Sequence, residues 1–408
     1  MPESLLAQLA QLPDPRVERT KQHQLTDILA IALLAELCGA DSFTEMAQFG
    51  RAREPWLRTF LALPNGIPSH DTFTRVFARL NPDAFAACLA EWAQAVAALA
   101  LEESRPQEGA EAESEAKVAE SEAEIVAIDG KTARRSYDTR SAQAPLHTVS
   151  AWATEHHLVL GQVKTEAHSN EITAIPELLA LLDLRGATVT IDAMGCQKSI
   201  TTAIRAKGAH YVLALKSNQP WLHQRVAAFH AAATAEPQRY WRGAVHETYS
   251  TVEKDHGRIE KRRYTVVDAT AVLRERSGWQ DLASVGWVES ERRLLCGPRK
   301  GTTTREVRYF ISSLPPQAVA LAHAVRSHWG IENRCHWTLD VVFQEDQSRV
   351  RKDHGPANLA TLRRWVLSLL RQDTTHKHGL KARRLQAAWD QDYLLRLLRF
   401  TSPVPAKN

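Results

Sequence analysis

Twice in this chain an apolar, β-branched run is stopped abruptly by an acid, and no other feature limits its folding as tightly. The stretch Glu124–Lys131 reads Glu-Ile-Val-Ala-Ile-Asp-Gly-Lys, and Ala187–Gly195 reads Ala-Thr-Val-Thr-Ile-Asp-Ala-Met-Gly. Such runs are too short for helices and suit buried strands, each delivering one carboxylate to its exposed end. Asp129 and Asp192 are therefore the first candidates for chemistry. A lone aspartate after a strand more often makes a turn or caps a helix, so the case rests on the repetition.

A third acid, Glu332, stands among aromatic, imidazole and basic groups in Arg326–Trp337, which reads as the start of a long helix. Carboxylates brought together raise one another's pKa, and a shared divalent cation removes the conflict. Oxygen donors favour Mg²⁺, with Mn²⁺ as the alternative, over zinc. Two such ions about 3.5–4 Å apart assist in-line displacement at phosphorus. The expected chemistry is nucleolytic or phosphoryl-transferring.

Length and charge bound the rest. The 408 residues, 44% hydrophobic, suffice for two or three domains with proper cores. No stretch has the apolar length of a membrane span, and the amino terminus lacks a signal pattern, so a soluble cytoplasmic protein is expected. Five scattered cysteines without CxxC spacing argue against a disulfide framework or a structural zinc site. The net charge of +4 hides a segment, Glu102–Glu124, in which nine glutamates face only Arg105 and Lys117. The remainder carries +11 and suits a polyanion partner.

Along the chain, residues 1–100 read as a helical domain. It includes a buried helix over Leu25–Leu37 ending at Gly39, and a Ser69-capped helix presenting Arg75 and Arg79. That second helix suits either DNA contact or packing. Residues 101–124 form an acidic linker. Residues 125–220 give strand, hairpin, helix, strand, helix, strand, the order of a mixed α/β sheet. A β-rich unit is expected over 221–318, inserted before the Glu332 helix at 319–372, with a basic tail at 373–408. Within the insertion, Trp279 and Trp287 are candidates for base stacking, with core packing as the competing reading. From Arg349 to Arg399, twelve Lys or Arg stand against four acids, so Leu362–Leu370 is expected to show a basic face to a nucleic-acid backbone.

With these residues in view, the chain resembles the insertion-sequence transposases that carry a DDE acid triad on a ribonuclease-H-like fold with a β-strand insertion. More narrowly it resembles the H-repeat-associated, ISAs-one type. The likeness is carried by Gly66–Phe73, Ala127–Lys131, Lys164–Pro176 with Asn170-Glu171-Ile172, Ile191–Gln197, Leu215–Gln219 and Arg326–Asp346. It implies an α/β ribonuclease-H-like core, interrupted by the insertion and preceded by the helical domain.

The resemblance also implies that Asp129, Asp192 and Glu332 bind metal and catalyse. Double-stranded DNA, as element ends and target, is the implied partner, in a homo-oligomer associated with the bacterial nucleoid. The broader group places a tyrosine and an arginine before its glutamate and a lysine after it, where this chain has Val325, His328 and Leu339. His328 and His336 either replace part of that DNA grip or cap and pack. Lys131, Arg134, Arg135, Lys216, Asn218 and Arg75 are the other expected DNA contacts. Glu345 and Asp346 are rival acids, ranked below Glu332. A metal-dependent nuclease without strand transfer and a lapsed DNA-binding relative are the competing functions.

Overall fold

The computed structural model describes residues 3–103, 123–139, 143–165, 170–273 and 278–399. The strand-and-acid runs form neighbouring central strands. Strand β1 (Ile125–Ala133) buries Ile125 to Ile128 and then turns partly to solvent at Asp129. Its antiparallel neighbours are β2 (Leu146–Ala153) and then β3 (Leu158–Lys164). On its other side β4 (Thr188–Ile191) runs parallel, with Ile128 opposite Ile191, and β5 (His210–Leu215) lies parallel to β4. The order β3-β2-β1-β4-β5, with β1, β4 and β5 parallel and helices between them, is ribonuclease-H-like.

The expected insertion does not form a sheet of its own. Strands β6 (His246–Asp255), β7 (Arg258–Asp268), β8 (Ser284–Leu294) and β9 (Thr303–Ser312) extend the same sheet, giving nine strands in the order β3-β2-β1-β4-β5-β9-β8-β7-β6. The seam is an antiparallel ladder from Val212 opposite Ser312 to Leu215 opposite Tyr309. Pairing there gives β5 a partner for backbone groups that would otherwise form an open edge. The outermost strand, β6, is largely exposed and ends the sheet with charged residues.

Helices cover this sheet. The amino-terminal domain comprises α1 (Glu3–Ala10), α2 (Leu25–Leu37), α3 (Phe43–Leu57), α4 (His70–Arg79) and α5 (Pro82–Glu103). Ser42 and Glu45 form a reciprocal capping box on α3, and Ser69 accepts from the Thr72 amide to start α4. Gly39, at φ 98°, turns the chain after α2 as anticipated. Helix α5 lies along β3. It reaches Glu103, inside the expected acidic linker, most of which lies outside the described residues.

In the core, α6 (Glu171–Leu181) and α7 (Lys198–Ala206) connect the strands, and α8 (Pro220–Ala235) opens the insertion. Next comes α9 (Ala318–Gly330), continued through a π-helical turn, Ile331–His336, into α10 (Trp337–Val341). Glu332 therefore lies within a long helical rod and not near its start. No described helix is long and apolar enough to cross a membrane.

The carboxyl-terminal part departs most from its sequence reading. Helix α11 (Gly355–Gln372) is buried from Gly355 to Leu370, between the hairpin strands and the amino-terminal helices. The basic face expected over Leu362–Leu370 is inside the protein. Arg363 faces Glu36 at 3.7 Å, and Arg364 pairs with Glu345 at 3.0 Å while donating to Ser150 Oγ and Thr148 Oγ1. The expected basic tail begins as two packed helices, α12 (Leu380–Trp389) and α13 (Gln391–Arg399). Arg384 of α12 is also buried, bonded to Glu36 and Asp41. Periodicity alone cannot tell a solvated arginine from one with a buried partner over three hundred residues away.

Candidate active site

The π-helical turn packs against β1 and brings Glu332 to Asp129, which lies where the pairing of β1 with β4 ends, and Asp192 follows the last residue of β4. Because Ile128 and Ile191 are paired neighbours, Asp129 and Asp192 follow them side by side on strands ~4.8 Å apart. Asp192 opens a tight turn, its Oδ1 accepting from the amides of Met194 at 2.9 Å and Gly195 at 3.4 Å. Glu332 comes down from the rod. Asp129, Glu332 and His336 bring one donor atom each to within 4.8 Å of one another. A π turn is a frequent device at functional sites because the extra residue re-aims side chains.

Burial pushes the Asp129 carboxyl up to about 8, with hydrogen bonding and repulsion from Glu332 and the charge of Glu171 acting in the same direction. Without a cation, burial and the neighbouring carboxylates therefore favour the protonated form of Asp129. Among the described residues no lysine or arginine forms an ion pair with either carboxylate. The nearby Lys131 is buried and turned the other way, 2.5 Å from Asp340 and 3.9 Å from both Glu345 and Asp346. A cluster of oxygen donors, repelling and without a protein cation, suits a divalent metal ion, so the residues fit the group.

Imidazoles line the rest of the cluster. Burial pushes His336 down to about 3, and its Nδ1 lies 3.5 Å from Asp129 and 3.9 Å from Glu332. Burial also lowers His328, against the pull of Asp192 and Glu332, and its Nδ1 lies 3.0 Å from Thr190 Oγ1. Both histidines therefore face the acids. Beside Asp129, His147 joins Thr132 Oγ1 at 2.7 Å to Glu171 at 2.9 Å. A Cβ at position 130 would sit 2.0 Å from Glu171 Oε1 and 2.7 Å from His147 Nε2, so a larger residue there must push both side chains aside.

Several expected DNA contacts have a different situation from the one foreseen. Lys131 is enclosed by carboxylates and His336 is buried, so neither offers a free group to a phosphate. His328 is engaged with Thr190. Asn218 pins its loop to the Asp192 turn by donating to the carbonyl of Ala193. Lys216, just past β5, is exposed at the same strand ends. Arg134 is exposed, with Nε 3.2 Å from Asp346, and Arg135 is exposed beside it. Arg75 is exposed on α4 in the helical domain, not among the residues at the strand ends. Glu345 and Asp346 are spoken for by Arg364, Arg134 and Lys131, which sets them apart from Glu332.

Trp279 and Trp287 are 7% and 2% exposed, so base stacking on either is overturned in favour of core packing. Trp287 packs with His230 and Trp241. The exposed tryptophans Trp329 and Trp337 bracket Glu332 in sequence. Sequence reasoning missed the His147–Glu171 pair. Its only local signal was Asn170, whose side chain caps α6 and so sets Glu171 at the first helical position.

A family profile described as "Transposase DDE domain" matches residues 120–369, and one described as "DDE_Tnp_1-associated" matches residues 6–93. The chain is 37% identical over 397 residues to "Putative transposase YncI" of Escherichia coli O157:H7, covering 97% of this chain and 94% of that protein. It is 34% identical, over 97% of this chain and 98% of the relative, to "H repeat-associated putative transposase YhhI" of Escherichia coli K12. An "Uncharacterized protein in dhlA 3'region" of Xanthobacter autotrophicus is 42% identical over 74% of this chain and 92% of its own length.

Proposed function

The chain belongs to the DDE transposase family, alongside the H repeat-associated proteins, and from that premise we propose that it cuts the ends of an insertion element and joins them to target DNA. The observation that supports this reading is the meeting of Asp129 and Glu332 in the middle of the sheet, with Asp192 at the end of the neighbouring strand. Mg²⁺, or Mn²⁺ in its place, would supply the acidity that activates an attacking hydroxyl and the charge that steadies the departing oxygen.

The chain's own residues supply position. Asp129 and Asp192 are fixed by strand register and by the Asp192 turn, so their oxygens are set before substrate arrives. Glu332 is half exposed and faces the approach side. His147 and Glu171 hold the flank of Asp129. Lys216, Arg134 and Arg135 are exposed cations for the phosphodiester backbone, and Arg75 with Arg79 on α4 suits a more distant stretch of duplex. Assembly on paired ends, and residence on the nucleoid, follow from such a substrate.

The test is strand transfer of a pre-cut, labelled element end in Mg²⁺, run beside cleavage of an uncut end. Transfer that disappears in Asp129→Ala, Asp192→Ala and Glu332→Ala supports the reading. Full activity in any one removes that residue from the triad, and cleavage without transfer favours a metal-dependent nuclease. Binding without either reaction favours a lapsed relative.

A further inference from the structure

We infer that His336 is a ligand of the cation site, a nitrogen donor beside Asp129 and Glu332, which fits the site to Mn²⁺ better than to Mg²⁺. This rests on the functional reading above and specifies the centre's donor set. The argument begins with distance. Donors sharing one ion at ~2.1 Å lie ~3.0 Å apart when at right angles and ~4.2 Å apart when opposite. His336 Nδ1 is 3.5 Å from Asp129 Oδ2 and 3.9 Å from Glu332 Oε2. Both separations exceed a good hydrogen bond, and both fall in the range set by a common ion.

The second observation is burial. The His336 side chain is 7% exposed, and Nδ1, not the buried and unpartnered Nε2, is the nitrogen turned to the two acids. Burial therefore holds the ring with Nδ1 directed between two carboxylates and beyond good hydrogen-bond distance of either. The third is the backbone. The π turn runs from Ile331 to His336 and so spans both Glu332 and His336, which it delivers to the same side of the rod. A nitrogen donor favours transition-metal ions over magnesium, and Mn²⁺ is the one among them that also suits carboxylate oxygens, which gives the preference for Mn²⁺.

The test uses full-length protein with Mn²⁺ as the probe. Pulsed electron paramagnetic resonance of the loaded wild type should show nitrogen coupling from a bound imidazole, and His336→Gln should abolish it. Continuous-wave titration should show Mn²⁺ affinity falling about 10-fold or more in His336→Gln, with Mg²⁺ affinity, measured by competition, changing far less. Mn²⁺ bound without nitrogen coupling in the wild type overturns the inference and leaves a positioning role for His336. Coupling that persists in His336→Gln overturns it by assigning the nitrogen elsewhere. Failure of the wild type to bind Mn²⁺ at all overturns both the inference and the reading beneath it. The wild-type spectrum decides even where the variant does not fold.

Discussion

Two groups of acids in this molecule have opposite surroundings. Glu36 and Glu345 are enclosed by Arg363, Arg384 and Arg364, so each carboxylate has a guanidinium of its own. Asp129 and Glu332 face each other with, among the described residues, only the imidazole of His336 within ion-pair range, while Lys131 is drawn off by Asp340. The first arrangement is closed, because its charges are balanced within the chain. The second is balanced only by a proton or by a cation from outside. Structural carboxylates and those proposed as catalytic are thus told apart here by who supplies the positive charge.

The largest consequence lies in activity. Asp129→Asn or Glu332→Gln should lower strand transfer by about 1,000-fold or more, the loss of several kcal/mol of metal-borne stabilisation, while leaving the far-ultraviolet circular dichroism intact. Activity within about tenfold of wild type would erase the contrast between the two groups. Next in size, Arg364→Met strands Glu345 in the interior. Urea unfolding should show a loss of about 3–5 kcal/mol, and a loss near zero would mean that Glu345 does not depend on its arginine.

A smaller effect is expected at Gly130→Ala, where the new methyl displaces Glu171 and His147. Overpacking of this kind costs about 1–3 kcal/mol, and adding Glu171→Ala should restore part of it in the same urea measurement.

The smallest effect is the pH slope. Asp129 has a folded pKa of about 8 against 3.8 for an ordinary aspartate, so between these values the folded state binds more protons than the unfolded one. Its contribution therefore falls as pH rises from about 4 through 8. Metal-free wild type should lose about 1 kcal/mol relative to Asp129→Asn across that window, after allowance for solvent screening of the partly open cluster. Parallel melting curves at pH 5 and pH 8 compare the two proteins. Saturating Mn²⁺ should remove the difference in slope, and a slope shared by both proteins would show that Asp129 is not strained by its neighbours.

What was legible in the sequence follows from the range of the interactions. The strands bearing Asp129 and Asp192 could be read directly, because β-branched runs ended by an acid are a local signal. The Ser69 cap and the helix ending at Gly39 were legible for the same reason. Glu332 was singled out among three acids by its aromatic, imidazole and basic neighbours and its Trp-Gly-Ile-Glu-Asn setting, and the structure separates it from Glu345 and Asp346 through Arg364 and Lys131, neither adjacent in sequence. The basic stripe at Arg363 and Arg364 was misread because Glu36 lies on another domain's helix. The pairing of β9 with β5 escaped notice because alternation shows that a strand exists, not where it docks. His336 stood at a visible spacing from Glu332, yet its direction depends on the π turn, which has no simple signature.

The unbroken ladder from β1 outward to β6 spans six interstrand steps, roughly 29 Å, or the rise of eight to nine base pairs. Since hydrogen bonds tie every step to the next, no pivot separates the rim of the sheet from the acids. The molecule is built as a ruler and not as a jaw: the distance from the outer strand to the acids is set by the number of strands between them.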